Sequence, residues 1–275
     1  MNAGIRPSQY IQVSSGQWEV FQGASIAENA VSLTVNGEIW LTFMCTPIDL
    51  EAMAVGFLYN EGLIQTRQDI ADIRVCPGSE NIDIWLNQSV QKPKHWRRTS
   101  GCTGGITSIS DYRAVEIQKP QFTNGGVISP DRINHLVGQL FEVQTLYRQS
   151  GGVHTSALSD GEQLCIVAED VGRHNTLDKL AGKFLLQDLS LPHRLILTTG
   201  RISSEMLQKA ARLNAPFVIS RTAATSLSIH LAEQWGITLI GYARRDRFAV
   251  YTHPQRILPI PIDFTEEVKH AKTNL

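Results

Sequence analysis

Apolar residues recur along this chain with two different periods, and the element type changes where the period does. Over residues 31–41 apolar and polar positions alternate on either side of Asn36-Gly37, the dipeptide that suits a two-residue hairpin turn. Over residues 49–60 the period lengthens: Leu50, Met53, Ala54, Phe57 and Leu58 fall at helical spacing, and Gly62 follows as a stop. Two strand-length runs come next, at residues 70–75 and 82–86. Further on, Ser129-Pro130 reads as an N-cap with proline at the first helical position, opening an amphipathic helix through Ile133, Leu136, Val137, Leu140, Phe141 and Leu146.

Beyond that helix, short apolar runs at residues 164–168, 194–198, 217–220 and 238–242 are separated by helical patterns at 174–186, 203–214 and 225–234. Strands alternating with helices predict crossover connections and a largely parallel, buried sheet, whose ligands gather at the carboxyl ends of the strands. The predicted fold class is therefore α/β, α+β overall, with a small mixed α/β domain first. A proline-, glycine- and polar-rich stretch at residues 118–126 serves as linker, which divides the chain into domains 1–125 and 126–275.

Composition narrows the function classes. With hydrophobic residues at 42% and a formal net charge of -1, the 275-residue chain has no broad basic excess for coating nucleic acid or a membrane surface. No window has membrane-spanning length, and the N-terminus lacks a secretory apolar run, so a cytoplasmic location is expected. The four cysteines, Cys45, Cys76, Cys102 and Cys165, contain no C-x-x-C pair and read as free thiols. Zinc-site, P-loop and dinucleotide fingerprints are absent from the sequence.

Candidate chemistry sits in two places. Cys102 lies in Arg97-Arg98-Thr99-Ser100-Gly101-Cys102-Thr103-Gly104-Gly105, a run too rich in glycine and hydroxyls for a helix or strand interior. Lys92, Lys94, His95, Arg97 and Arg98 crowd positive charge upstream, which favours thiolate; an incidental thiol on a surface loop fits the same residues. The second place is the set of predicted strand ends: residues 169–175, 198–205, 220–226 and 241–247 are rich in arginine, hydroxyls and helix starts, a combination suited to phosphate. Singly, each reads as a capped, solvated loop.

These segments resemble the FdhD/NarQ family of formate dehydrogenase accessory proteins. The resemblance is carried by residues 55–62, Ser100-Gly101-Cys102, Gly152-Val153-His154-Thr155, Glu169-Asp170-Val171-Gly172-Arg173-His174-Asn175, residues 177–180 and 201–210, Thr225-Ser226-Leu227 and Gly241-Tyr242-Ala243-Arg244. It implies a second domain with a cytidine-deaminase-like α/β/α fold lacking the zinc site. It also implies a homodimeric sulfur carrier that accepts sulfur from a cysteine desulfurase as a persulfide. The sulfur then passes to the molybdenum bis(molybdopterin guanine dinucleotide) cofactor before that cofactor enters formate dehydrogenase. Carried over by position, the persulfide falls on Cys102 and the nucleotide contacts on Tyr242, Ala243, Arg244, Arg245, Asp246 and Arg247; no metal of its own is implied. Many members carry C-x-x-C at the loop, whereas here the second position is Gly105, so a resolving thiol would have to be Cys76 or Cys45. The competing readings are a cofactor chaperone that moves no sulfur and a deaminase-like nucleotide enzyme.

Overall fold

The computed structural model describes residues 3–94, 97–98, 106–107 and 126–258. The chain opens with a two-stranded antiparallel ribbon, β1 (Ile5–Ser14) and β2 (Gln17–Ile26). A four-stranded sheet follows, in the order β4-β3-β6-β5, from β3 (Asn29–Val35), β4 (Glu38–Cys45), β5 (Ile70–Val75) and β6 (Asn81–Leu86). The hairpin turns at Asn36-Gly37 as its sequence predicts, with both residues at positive φ. Helix α1 (Leu50–Asn60) lies on this sheet. Nine of its residues are buried, as a helix covered from both sides requires. Two short strands, β7 (Arg97–Arg98) and β8 (Ile106–Thr107), pair antiparallel.

The second half is a three-layer α/β/α unit around a six-stranded sheet, ordered β10-β9-β11-β12-β13-β14. The strands are β9 (His154–Ser159), β10 (Leu164–Asp170), β11 (Leu195–Thr198), β12 (Phe217–Ser220), β13 (Thr238–Gly241) and β14 (Ala249–Val250). Helices α4 (Arg173–Leu186), α5 (Ser204–Arg212) and α6 (Ser226–Trp235) cover one face through Leu177, Leu180, Met206, Leu207 and Leu231. Helix α2 (Pro130–Glu142) covers the other through Ile133, Leu136, Val137 and Leu140.

Two expectations change. The sheet is not largely parallel: only β11–β12 and β12–β13 pair in parallel, while β9 runs antiparallel to both β10 and β11, and β14 to β13. The cause is a short turn between β9 and β10, where the Asp160 carboxylate accepts the N–H groups of Glu162 and Gln163 and Gly161 sits at φ 98°; a parallel connection needs a much longer crossover. The helix opening at Pro130 does not run through Leu146 either. It ends at Glu142, and a short helix α3 (Thr145–Ser150) starts afresh. The Glu169 carboxylate causes the break by accepting the N–H groups of Leu146 (2.8 Å) and Tyr147 (3.2 Å), donors that a continuous helix would spend internally.

The two sheets are joined through helices α1 and α4, which cross backbone to backbone. A Cβ on Gly56 would stand 1.7 Å from the Asp178 carbonyl oxygen, and one on Gly182 would stand 1.7 Å from that of Ala52. No side chain larger than hydrogen fits either position.

Candidate functional site

Strand register brings all four polar segments to one edge of the six-stranded sheet. Asp170, closing β10, pairs with His154, opening β9; Thr198, closing β11, pairs with Ser156 on one side and Ser220 on the other. The loops beyond are stitched one to the next. Thr199 N–H donates to Thr155 O (2.9 Å), Arg221 N–H to Thr198 O (2.9 Å), Ser220 Oγ to Gly200 O (2.7 Å), and Tyr242 and Ala243 N–H to Thr222 and Ser220 O (both 3.0 Å). Because these loops fasten one another, the edge is preorganised rather than assembled by a ligand. Tyr242, half exposed at the end of β13, holds φ 50°, a left-handed conformation that costs a non-glycine residue energy and clusters at functional positions.

Within that edge a cleft of about 450 Å³ opens among Tyr147, His154, Thr199, Arg221, Thr222 and Arg244. A shallower space of about 620 Å³ lies around the corner, between Phe141 and Arg244, Arg245, Asp246 and Arg247. Arg244 belongs to both and is held by carbonyls: its Nη1 donates to Arg221 O (2.5 Å) and Ala243 O (3.1 Å). Arg221 stacks its guanidinium over the Phe141 ring at 4.8 Å. Of the six positions carried over from the resemblance, Tyr242, Arg244, Arg245, Asp246 and Arg247 present side chains toward these spaces or solvent, while the Ala243 side chain is buried against α2. The sequence did not mark Tyr147 or the Gly151-Gly152 turn as part of this wall; their signal was the Gly151-Gly152-Val153-His154 run just before β9.

One histidine, His154, lies in the cleft wall, and another, His174, is buried behind it. His174 Nε2 is 3.4 Å from Ser203 Oγ, and His154 Nδ1 is 3.3 Å from Thr199 Oγ1. Burial, reinforced by Lys209, Arg173 and His154, pushes His174 down to about 2, so it is neutral. Burial and then Arg173 lower His154 as well, against an opposing pull from Asp170, with Arg201 adding a smaller lowering effect. Ser203 caps α5 by accepting the Met206 N–H, as its sequence predicts.

The first polar segment turns out to be internal. Asp170 is fully buried: Oδ1 accepts the Gly172 N–H (2.7 Å) and the Asn175 amide (2.9 Å), and Oδ2 accepts the Thr46 N–H (3.1 Å) and the Lys179 ammonium (2.6 Å). Lys179 gives its other protons to the carbonyls of Thr46 (3.0 Å) and Glu169 (3.3 Å). Eight residues further along the chain from Asp170, Asp178 accepts from Lys209 (2.6 Å) and Asn60 (2.7 Å). Asp170, Asp178 and Lys179 therefore tie the two sheets together, while Val171 of the same motif lines the cleft.

Cys102 and Gly105 lie outside the described residues; β7 and β8 flank them in sequence. Cys45 is buried in the four-stranded sheet's core, and burial, then Asp170, pushes its thiol up to about 12, which removes the thiolate a resolving role needs. Cys165 is half-buried on edge strand β10, packed against the sheet's core, and its thiol is raised, first by burial and then by Asp160.

A model of the FdhD/NarQ family matches residues 26–258. The chain belongs to that family. Among FdhD/NarQ relatives, a sulfur carrier protein FdhD from Bacillus pumilus is 34% identical over 261 residues, 94% of this chain and 99% of its own length. Another, from Bacillus licheniformis, is 36% identical over 233 residues, 84% of this chain and 88% of its own. The crystal structure of a protein from Desulfotalea psychrophila, described as a formate dehydrogenase accessory protein, superposes with a TM-score of 0.74 at 26% identity, covering 93% of this chain and all of that one. The family match spans both sheets, the α1–α4 crossing and the cationic edge.

Proposed function

We propose that this protein is a homodimeric cytoplasmic sulfur carrier for formate dehydrogenase. It takes sulfur from a cysteine desulfurase as a persulfide on Cys102 and passes it to the molybdenum bis(molybdopterin guanine dinucleotide) cofactor, its cargo. The observation that carries this reading is the stitched cationic edge: Arg221 and Arg244 on one cleft, with Arg245 and Arg247 beside it, match a ligand that carries phosphates and a base. Tyr242, exposed in its left-handed conformation, offers a ring for stacking. Family membership supplies the link to sulfur and to formate dehydrogenase, through relatives that bear those names.

In loading, the Cys102 thiolate attacks the outer sulfur of the donor persulfide. A new sulfur–sulfur bond forms on Cys102, the donor's bond breaks, and the donor cysteine departs as thiolate. Discharge as sulfide takes up two electrons. With Gly105 where many members carry a second cysteine, and Cys45 buried and protonated, those electrons come from Cys76 or from an external thiol, whose sulfur bonds to Cys102 as a disulfide when sulfide departs. Mass spectrometry after incubation with a cysteine desulfurase and cysteine is expected to show one added sulfur on Cys102. Loading on another cysteine overturns the assignment. A Cys102→Ala chain that still supports formate dehydrogenase maturation would favour the chaperone reading.

A further inference from the structure

His154 stands where the sheet meets the cleft, and only one of its two ring nitrogens is occupied. It opens β9 opposite Asp170 of β10, and its half-buried side chain lines the cleft with Thr199, Arg221 and Arg244. Nδ1 lies 3.3 Å from Thr199 Oγ1. That hydroxyl already accepts the Thr155 N–H (3.0 Å), so its own proton is left to give, and Nδ1 receives it. In the neutral ring the imidazole proton then sits on Nε2. Nε2 has no hydrogen-bond partner among the described residues and is not enclosed, so its N–H faces the cleft. A hydroxyl can also turn: once Nδ1 is protonated as well, Thr199 Oγ1 accepts from it through its second lone pair. The ring is therefore held in place whether neutral or charged.

We propose that His154 grips a diphosphate in this cleft through Nε2–H and takes up a proton as it does so. Around the empty ring, Arg173 at the start of α4 opposes a positive charge, Asp170 on β10 favours one, and Arg201 in the loop after β11 opposes it again. His174 of α4 lies behind, while Arg221, Arg244 and Tyr147 of α3 share the cleft wall. Burial and this surplus of cations keep the empty ring neutral. A diphosphate reverses the balance, since an opposite charge within about 4–6 Å raises the pKa of a cation by roughly 1–3 units. A further arginine would repel its neighbours whether or not the cleft was filled; a histidine acquires its charge only when an anion is there to meet it. The charged ring also makes the stronger contact, because a charge-assisted hydrogen bond is about twice as strong as a neutral one. One proton enters from solvent on binding and returns on release, with no bond made or broken in the ligand. This inference rests on the guanine-nucleotide cargo of the proposed function and adds how its charge is sensed.

Calorimetry of the full chain with guanosine diphosphate mannose tests it, because the diphosphate of that probe is esterified at both ends and does not itself titrate near neutral pH. Binding is expected to tighten about fivefold from about pH 8 to about pH 6, the consequence of one raised pKa. It should also draw a proton from the buffer, seen as a binding heat that varies with the buffer's ionisation enthalpy. In His154→Gln, whose amide stays neutral, both the pH slope and the proton uptake are expected to vanish. A second measurement needs no variant: the His154 ring signals in the NMR spectrum, assigned through their proximity to Thr199, are expected to titrate at a higher pH with the probe bound than without it. Binding that is flat with pH in the parent chain overturns the proposal and leaves the nucleotide site standing. A slope that persists in His154→Gln, or a ring that titrates at the same pH with and without the probe, does the same. If the parent chain binds no probe at any pH, the nucleotide reading fails and this inference with it.

Discussion

Charge is used in opposite ways at the two ends of a few residues in this fold. At the α1–α4 junction Asp170, Lys179, Asp178 and Lys209 are buried and paired at hydrogen-bond distance. At the sheet edge, among the described residues, Arg221, Arg244, Arg245 and Arg247 make no salt bridge within 4.0 Å. A buried pair that has met its partners is committed to the fold, because removing either member leaves an uncompensated charge. Cations without carboxylates are available to a ligand. The difference teaches that the charges of the most distinctive motif of the chain, residues 169–179, serve assembly, while the less distinctive arginines carry the proposed ligand contacts.

The largest effect expected on that comparison is at the junction. Gly56→Ala places a methyl 1.7 Å from a backbone carbonyl that belongs to the other unit, and backbone cannot swing aside as a side chain can. The expected cost exceeds about 5 kcal/mol, the exceptional range for a single substitution. Soluble yield and urea unfolding measure it, and a variant of near-normal stability would show that α1 and α4 do not cross this closely. Next comes Lys179→Met, which strands the Asp170 carboxylate. Its expected cost is about 3–5 kcal/mol, read from the same unfolding curves, with no direct effect at the edge.

At the edge the ranking reverses. Arg221→Ala and Arg244→Ala are each expected to leave stability within about 1 kcal/mol, the scale of a lost stacking contact or carbonyl hydrogen bond. Guanosine diphosphate binding, measured calorimetrically, should weaken by about 1.5–3 kcal/mol for each charge-assisted hydrogen bond lost. If both variants bind as the parent does, the arginine edge is not the nucleotide site. If instead they unfold as readily as Lys179→Met, these arginines are structural and the comparison fails.

Most of the elements were legible because their signals are local. The Asn36-Gly37 turn, the Ser129-Pro130 start and the Ser203 cap each need only a few neighbouring residues to specify them, and each forms as expected. What escaped depends on distant partners. The break before α3 is made by Glu169, 23 residues from Leu146 in sequence, and β9 joins the sheet as an antiparallel strand because of the Asp160 turn. At the site, the four polar segments were visible but their facing was not. Glu169 and Asp170 are adjacent in an edge strand and point to opposite sides, one to α3 and the other to Thr46 and Lys179, so neither reaches the cleft.

The smallest effect expected tests the seam between the two regions, at His174. Its ring is buried beside Ser203, within reach of the charges of both Lys209 and Arg173, and holds its folded pKa at about 2. In the unfolded chain a histidine protonates near 6.5. Below that pH the unfolded chain binds a proton that the folded chain refuses, so stability attributable to this residue is intact above 6.5 and is lost progressively as pH falls toward 2. Each pH unit is worth about 1.4 kcal/mol, which makes the loss about 2 kcal/mol at pH 5. His154, also lowered, adds in the same direction. His174→Gln cannot titrate, so between pH 6.5 and 4.5 its unfolding free energy should fall less steeply than the parent's by about one proton per molecule, whatever its stability at neutral pH. Equal slopes would mean that the ring takes up its proton inside the folded chain. The positive charge of the edge would then extend inward to α4, and the boundary between committed and available charge would have to move with it.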